Sequence, residues 1–290
     1  MIAFIDTLAN RSSAFNLLVT VNPVYISTHM GKDGSHEFLS TANISKEFDK
    51  KELTNIVNGI INKGIKIEKY EFEDATISVF YDTYKSTEIV SFTLYQGIII
   101  CASSNKLIES SIHQINNQSS LASDPAFNAI FQTAGTKVDA NLFINNKKLP
   151  ITFQKFINGV NQVKINSLND IAQWSELDIS LKEDEVFLNG FTQASDTTNT
   201  FLKLLAHQRP IESKIASVLP AETAFFICLG IPNLDQYLDD YRLYLDKSDR
   251  ILEYTSALND YNKSVGFNVH ELYRSFFLEE IALVFTSLDG

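Results

Sequence analysis

Ile65-Lys66-Ile67-Glu68-Lys69-Tyr70-Glu71, then Thr76-Ile77-Ser78-Val79-Phe80-Tyr81-Asp82, then Glu88-Ile89-Val90-Ser91-Phe92-Thr93-Leu94-Tyr95, then Gly97-Ile98-Ile99-Ile100-Cys101-Ala102 are short alternating segments rich in Ile, Val, Phe and Tyr. Short polar connections, Asp74-Ala75 and Asp82 to Thr87, separate the first three. Side chains on a strand alternate between two faces, so this spacing predicts consecutive antiparallel strands. Helical periodicity flanks them. Asp49-Lys50-Lys51-Glu52 has capping-box spacing and leads into Leu53, Ile56, Val57, Ile60 and Ile61, up to a stop at Gly64. Ser104 precedes a helix from Asn105 to about Ile115, with Leu107, Ile108 and Ile112 on its apolar face.

The same alternation of hairpin and helix continues outward. Upstream, Pro23 to Thr28 and Glu37 to Ala42 read as two arms of a hairpin around a Gly31 to Ser35 turn, after a helix-like Ile2, Ile5, Leu8 face. Downstream, Ser123-Asp124-Pro125 starts a helix through Phe127, Ile130 and Phe131, stopping at Gly135. A strand at Lys137 to Ile144 and a helix from Pro150 to about Ile157 follow. Glu176 to Leu181 and Val186 to Phe191 form a hairpin around Lys182-Glu183-Asp184-Glu185. Asp196 caps a helix carrying Phe201, Leu202 and Leu205. Next come a strand at Thr223 to Leu229, a helix striped by Leu234, Tyr237, Leu238, Tyr241, Tyr244 and Leu245, helices at about Asp249 to Tyr261 and Val269 to Leu278, and a strand at Ile281 to Ser287. Asn268 to Glu271 has capping-box spacing.

These elements predict an α+β fold of antiparallel hairpins alternating with amphipathic helices, in two related modules near residues 1–120 and 121–290. A weak internal repeat runs through it. Asp139 to Ile144 with its following helix resembles Thr223 to Ile227 with its following helix. Ile281 to Ser287 echoes Pro23 to Thr28, the first arm of a hairpin. Because Asp289-Gly290 is a favoured hairpin-turn dipeptide with no return strand after it, the chain is expected to be a fragment of a longer one.

Composition narrows the partners. Thirty-five acidic against 24 basic side chains give a formal charge of -11, which repels phosphate backbones and anionic headgroups. Nucleic acid is therefore excluded as the expected partner. The densest basic groups, Lys46, Lys50, Lys51 and Lys63, Lys66, Lys69, are interleaved with acids. No apolar run is long enough to span a bilayer, and Met1 to Ala9 lacks the features of a signal peptide, which read literally gives a cytoplasmic chain. The only cysteines, Cys101 and Cys228, sit in apolar strand-like runs and are expected to be two buried thiols.

Motifs for chemistry are sparse. No nucleophile elbow, dinucleotide turn or phosphate loop is present, so no catalytic residue, cofactor or metal site is assigned. His29 and His36 flank the Gly31 to Ser35 turn and, with Asp33 or Glu37, are the nearest approach to a metal or enzyme site. His113, His207 and His270 are isolated. Glu71, Glu73, Asp74 and Glu183, Asp184, Glu185 lie at strand ends and turns, where charge serves solubility. The tyrosine stripe on residues 234–245 has core spacing, and Trp174 anchors a strand start.

Leu219-Pro220-Ala221-Glu222-Thr223-Ala224-Phe225-Phe226, with Trp174-Ser175-Glu176-Leu177-Asp178 and Leu188-Asn189-Gly190-Phe191, resembles a family of bacterial domain-of-unknown-function proteins. The likeness extends to Ile26-Ser27-Thr28-His29 and Gly97 to Ser104. It implies an α and β body outside the cytoplasm, held at the cell envelope by an N-terminal hydrophobic segment, and its motifs are strand entries and turns with no catalytic residue. The expected function is a non-catalytic envelope interaction or scaffold protein with an envelope protein partner. The alternative is an enzyme with a site near the 29–36 hairpin. A deep pocket joining His29 and His36 to carboxylates speaks for the enzyme, and a large exposed apolar patch for the interaction protein.

Overall fold

The computed structural model describes residues 23–31, 34–44, 64–153, 170–194 and 199–286. The chain divides into two compact units, residues 1–124 and 125–290. The first carries β1 (Val24–Met30), β2 (His36–Asn43), β3 (Ile65–Phe72), β4 (Ala75–Asp82), β5 (Thr87–Tyr95), β6 (Ile98–Ala102) and α1 (Asn105–Asn116). The second carries α2 (Pro125–Phe131), β7 (Ala140–Asn145), α3 (Leu149–Phe153), β8 (Trp174–Leu181), β9 (Val186–Thr192), β10 (Thr223–Gly230), α4 (Leu234–Lys247), α5 (Ile251–Val265), α6 (Val269–Phe276) and β11 (Glu280–Thr286). The fold is α+β with antiparallel sheets, as the alternation of periods predicts. The segments read as helices around residues 2–8 and 49–61, the lysines among them and the terminal Asp289-Gly290 lie outside the described residues, as do residues 154–157 of the helix expected from Pro150.

In the first unit one antiparallel sheet has the order β1-β2-β6-β5-β4-β3. A two-residue turn joins β3 to β4 through Glu73 (φ 45°) and Asp74 (φ 62°), left-handed residues whose twist matches that of the flanking strands. Alternation then puts Ala75, Ile77 and Val79 on one face with Ile100 and Ala102, and α1 lays Ile108 and Ile112 on them. Full burial of each large aliphatic chain contributes roughly 1.5–3 kcal/mol, so this seam holds α1 to the sheet. Phe80 and Val90, on the other face, are buried with Ile65, Ile67 and Phe92 around them. Ser104 does stand at the N-cap of α1, but its side chain makes no cap bond. Its hydroxyl donates instead to Glu37 Oε2 at 2.9 Å and ties the helix start to β2.

The second unit contains a three-stranded sheet, β7-β8-β9, and a two-stranded one, β10-β11. Phe127 of α2 packs edge-on against Trp174 of β8 and Phe143 of β7, with ring centroids 5.0 and 5.5 Å apart. The tyrosine stripe of α4 turns inward: Tyr244 and Leu245 are buried with Leu204, and Phe201, Tyr237, Tyr241 and Tyr254 close around them. Residues 201–205 are a single turn of 3-10 helix entered from Thr200, not an α-helix capped by Asp196, which lies outside the described residues. Asn268 caps α6 as its spacing predicts, its side chain accepting from the His270 and Glu271 amides. No helix among the described residues is long and apolar enough to cross a membrane.

Candidate interaction surface

The hairpin histidines do not converge. Across the β1–β2 ladder His29 stands opposite Glu37, while His36 stands opposite Met30. Directly opposed residues share a face and neighbours along a strand do not, so the two imidazoles lie on opposite faces of the sheet. His29 Nε2 is 2.8 Å from Ser27 Oγ, and partial burial lowers its pKa against an opposing pull from Glu37. Among the other histidines, His113 meets Glu73 and Asn117 (2.8 Å each), His207 meets Asp240 (3.0 Å) and His270 meets Tyr254 (2.9 Å). No group of three or more His, Cys, Asp or Glu side chains is placed to hold a metal among the described residues.

The turn acids occupy the positions expected of them. Glu71 accepts from Thr76, Glu73 from Asn116, and Glu185 pairs with Lys182 across the β8–β9 turn. An unexpected carboxyl is Glu176. It lies on the Trp174 face of β8, is fully buried, and neither of its carboxyl oxygens has a partner of ordinary hydrogen-bond geometry among the described residues. Burial, with the Asp178 carboxylate beside it, pushes its pKa up to about 7. Asp178 by contrast accepts from the Gly135 amide at 2.8 Å and from Asn141 Nδ2 at 2.7 Å, and its pKa is lowered, chiefly by the Gly135 bond.

The β10–β11 ribbon presents its two faces very differently. Register pairs Phe226 with Val284, Cys228 with Ala282 and Gly230 with Glu280 on one face. Segment 211–214 covers part of that face: Ser213 Oγ donates to Glu280 Oε2 (2.7 Å), the Lys214 amide to Glu280 Oε1 (3.0 Å), and Ile211 lies against Gly230. These donors hold the Glu280 carboxyl below its ordinary pKa, the Ser213 bond contributing most. Cys228 is half-buried here, with its thiol directed at Glu280 Oε2 at 3.4 Å, so only Cys101 is the fully buried thiol expected of both. A polar cover leaves Cys228 reachable by water.

The opposite face carries Phe225 opposite Phe285, Ile227 opposite Leu283 and Leu229 opposite Ile281, with no polar side chain among them. Its exposure runs from 42% at Ile281 to 58% at Leu283, with Phe225, Ile227 and Phe285 between those values, so five large apolar side chains stand about half in water. A shallow depression of about 520 Å³ at the start of β10 is lined by Leu219, Pro220, Thr223, Ala224 and by Phe225 and Phe226, one from each face of the ribbon. Single exposed apolar residues are ordinary, but contiguous ones mark docking sites. The periodicity of residues 223–229 and 281–287 predicts these strands but not the exposure of both.

The sequence matches the family described as protein of unknown function (DUF3352) over residues 41–287. No curated protein and no solved structure matches the chain.

Proposed function

The chain belongs to the DUF3352 family, and from that premise we propose that it is a non-catalytic interaction or scaffold module of the cell envelope. The observation that carries the reading is the bare apolar face of Phe225, Ile227, Leu229, Ile281, Leu283 and Phe285. Burying the exposed half of each of its five most open side chains contributes roughly 1 kcal/mol apiece. That sum is of the order of the rigid-body entropy lost on association, at least about 4 kcal/mol, so the face suits a partner that adds polar or backbone contacts to it. The separation of His29 from His36 onto opposite faces removes support from the enzyme alternative at the 29–36 hairpin. The envelope location is supported by the family likeness of the strand-entry and turn motifs.

A photo-activated cross-linker placed at residue 227 tests the interaction reading, with one at the exposed Lys66 as control. Position 227 is expected to give a discrete cross-linked species in native envelope preparations, and Ile281→Lys in the same chain to abolish it. Equal yields at 227 and 66 would reject the face as a docking site. Fractionation that finds the protein wholly in the cytosol would reject the location.

A further inference from the structure

We propose that Glu176, Asp178 and Asn189 form a binding site for a hard divalent cation, and the chemistry of the donors names calcium. Register builds the site. Asp178 on the central strand β8 stands directly opposite Asn141 of β7 and Asn189 of β9, so the three side chains make one row across a single face of the sheet. Side chains opposed in this way are about 4.5–5.5 Å apart at Cβ. The next row on that face is Phe143, Glu176 and Phe191, and the row beyond it holds Trp174. Two stretches read in the sequence as a strand entry and a turn, Trp174 to Asp178 and Leu188 to Phe191, supply every proposed ligand.

Glu176 requires a positive partner. It is fully buried between two phenylalanines, and among the described residues neither of its oxygens accepts a hydrogen bond of ordinary geometry. Taking a carboxylate out of water is costly, so buried ones are paired, hydrogen-bonded or bound to a metal. The rows around Glu176 contain no lysine or arginine, and the polar group beside it is a second carboxylate, that of Asp178. A cation between the two acids answers both charges.

Asp178 is already held in place for it. The Gly135 amide and Asn141 Nδ2 both donate to the same oxygen, Oδ1, and Asn141 Nδ2 also donates to the Gly135 carbonyl at 3.0 Å, so Oδ2 stays outside these bonds. The donors are then Glu176 Oε1 and Oε2, Asp178 Oδ2 and the side-chain carbonyl of Asn189, all of them oxygen. Calcium takes six to eight such ligands from carboxylates, amide carbonyls and water in flexible geometry, whereas zinc favours the sulfur and imidazole that these rows lack. Asp178 is half-buried and Asn189 exposed, so the ion enters from that end and water completes its shell. With no cation bound, a proton takes the same place at Glu176. A set with two carboxylates and open water positions belongs with the weaker calcium sites, with Kd about 10⁻⁴–10⁻³ M.

Trp174 is the chain's only tryptophan and lies two residues from Glu176 on the same face. Terbium, which occupies calcium sites and emits when a neighbouring indole is excited, therefore reports this site and not the acidic surface elsewhere. Terbium added to the whole chain is expected to give tryptophan-sensitised emission that excess calcium displaces. Glu176→Gln is expected to weaken terbium binding about tenfold or more, since affinity follows the charge of the ligands, and Asn189→Ala to weaken it less. Glu185→Gln, at the β8–β9 turn, is expected to leave it unchanged. Calcium is also expected to raise the Tm of the parent and not that of Glu176→Gln. Circular dichroism checks each variant, and if Glu176→Gln does not fold, Asn189→Ala, at an exposed position, decides. Emission that is absent, that calcium does not displace, or that no folded ligand variant weakens overturns the proposal.

Discussion

Glu176 and Asp178 lie two residues apart on the same face of β8, and among the described residues only Asp178 accepts hydrogen bonds of ordinary geometry. Asp178 holds the Gly135 amide and Asn141, whereas Glu176 is buried with that carboxylate as its neighbour. Its folded pKa of about 7 lies above the ordinary 4.5, so the folded state binds the extra proton. Stability from this group is complete below the unfolded value and is lost as pH rises through 7. Glu176→Gln keeps the shape, stays neutral and offers an N–H toward Asp178. Denaturant melts at pH 5 and pH 8 are expected to show the variant gaining on the parent at the higher pH, by about 1–3 kcal/mol. A difference that does not change with pH would contradict this account.

Gly190 lies opposite Leu177 in the β8–β9 ladder, and a Cβ there would sit 1.9 Å from the Glu176 carbonyl oxygen. The obstacle is backbone, so it cannot swing aside. Gly190→Ala is therefore expected to destabilise the second unit by at least about 1–3 kcal/mol, the usual range for overpacking. Gly97→Ala is the comparison. It has open space around it but a φ of +80°, so its smaller loss, about 1 kcal/mol, comes from backbone strain.

The two thiols separate by reactivity. Cys101 is fully buried, and burial pushes its pKa up to about 12, while Cys228 is half-buried beside Ser213 and Glu280. A maleimide under native conditions is expected to label Cys228 and spare Cys101 until denaturant is added. Mass spectrometry of the digested adduct reads both sites, and equal native labelling would show that the β2–β6–β5 core opens.

Asn268 accepts from the amides of His270 and Glu271 at 3.0 and 3.4 Å, donors that α6 itself leaves unpaired. Asn268→Ala is expected to cost about 1 kcal/mol, and Asn268→Asp to restore most of it. Thermal melts of the three proteins decide the point. Loss with Asp equal to loss with Ala would mean that the packing of α6, not its cap, sets the effect.

Strands were legible wherever one face is apolar and the turns are short. Ile65 to Ala102 gives four strands within about two residues of their observed ends, because alternation fixes which side chains face α1. Caps were legible at Asn268 and misleading at Ser104, whose hydroxyl found a carboxylate 67 positions away in sequence, beyond the reach of local spacing. No motif singles out Glu176. The available signal was its place two residues after Trp174, which puts it on the same face as the tryptophan. The pairing of His29 with Glu37 depends on the register around the Gly31 to Ser35 turn, and a one-residue slip exchanges the faces. The bare β10–β11 face follows from strand pairing across residues 231–279, and no local window contains both partners.

That last separation also orders the folding of the molecule in time. β3 and β4 meet across Glu73 and Asp74, whereas β10 meets β11 only after the chain from residue 231 to 279, with α4, α5 and α6, has closed into a loop. Each doubling of loop length adds roughly 0.6 kcal/mol of closure entropy, and several doublings lie between the two cases. The β3–β4 hairpin is thus an early, local event. The ribbon forms late, once the helices have shortened the path between its ends, and amide protons on β10 and β11 should be the sooner to exchange. The surface on which the proposed docking depends is assembled last and comes apart first.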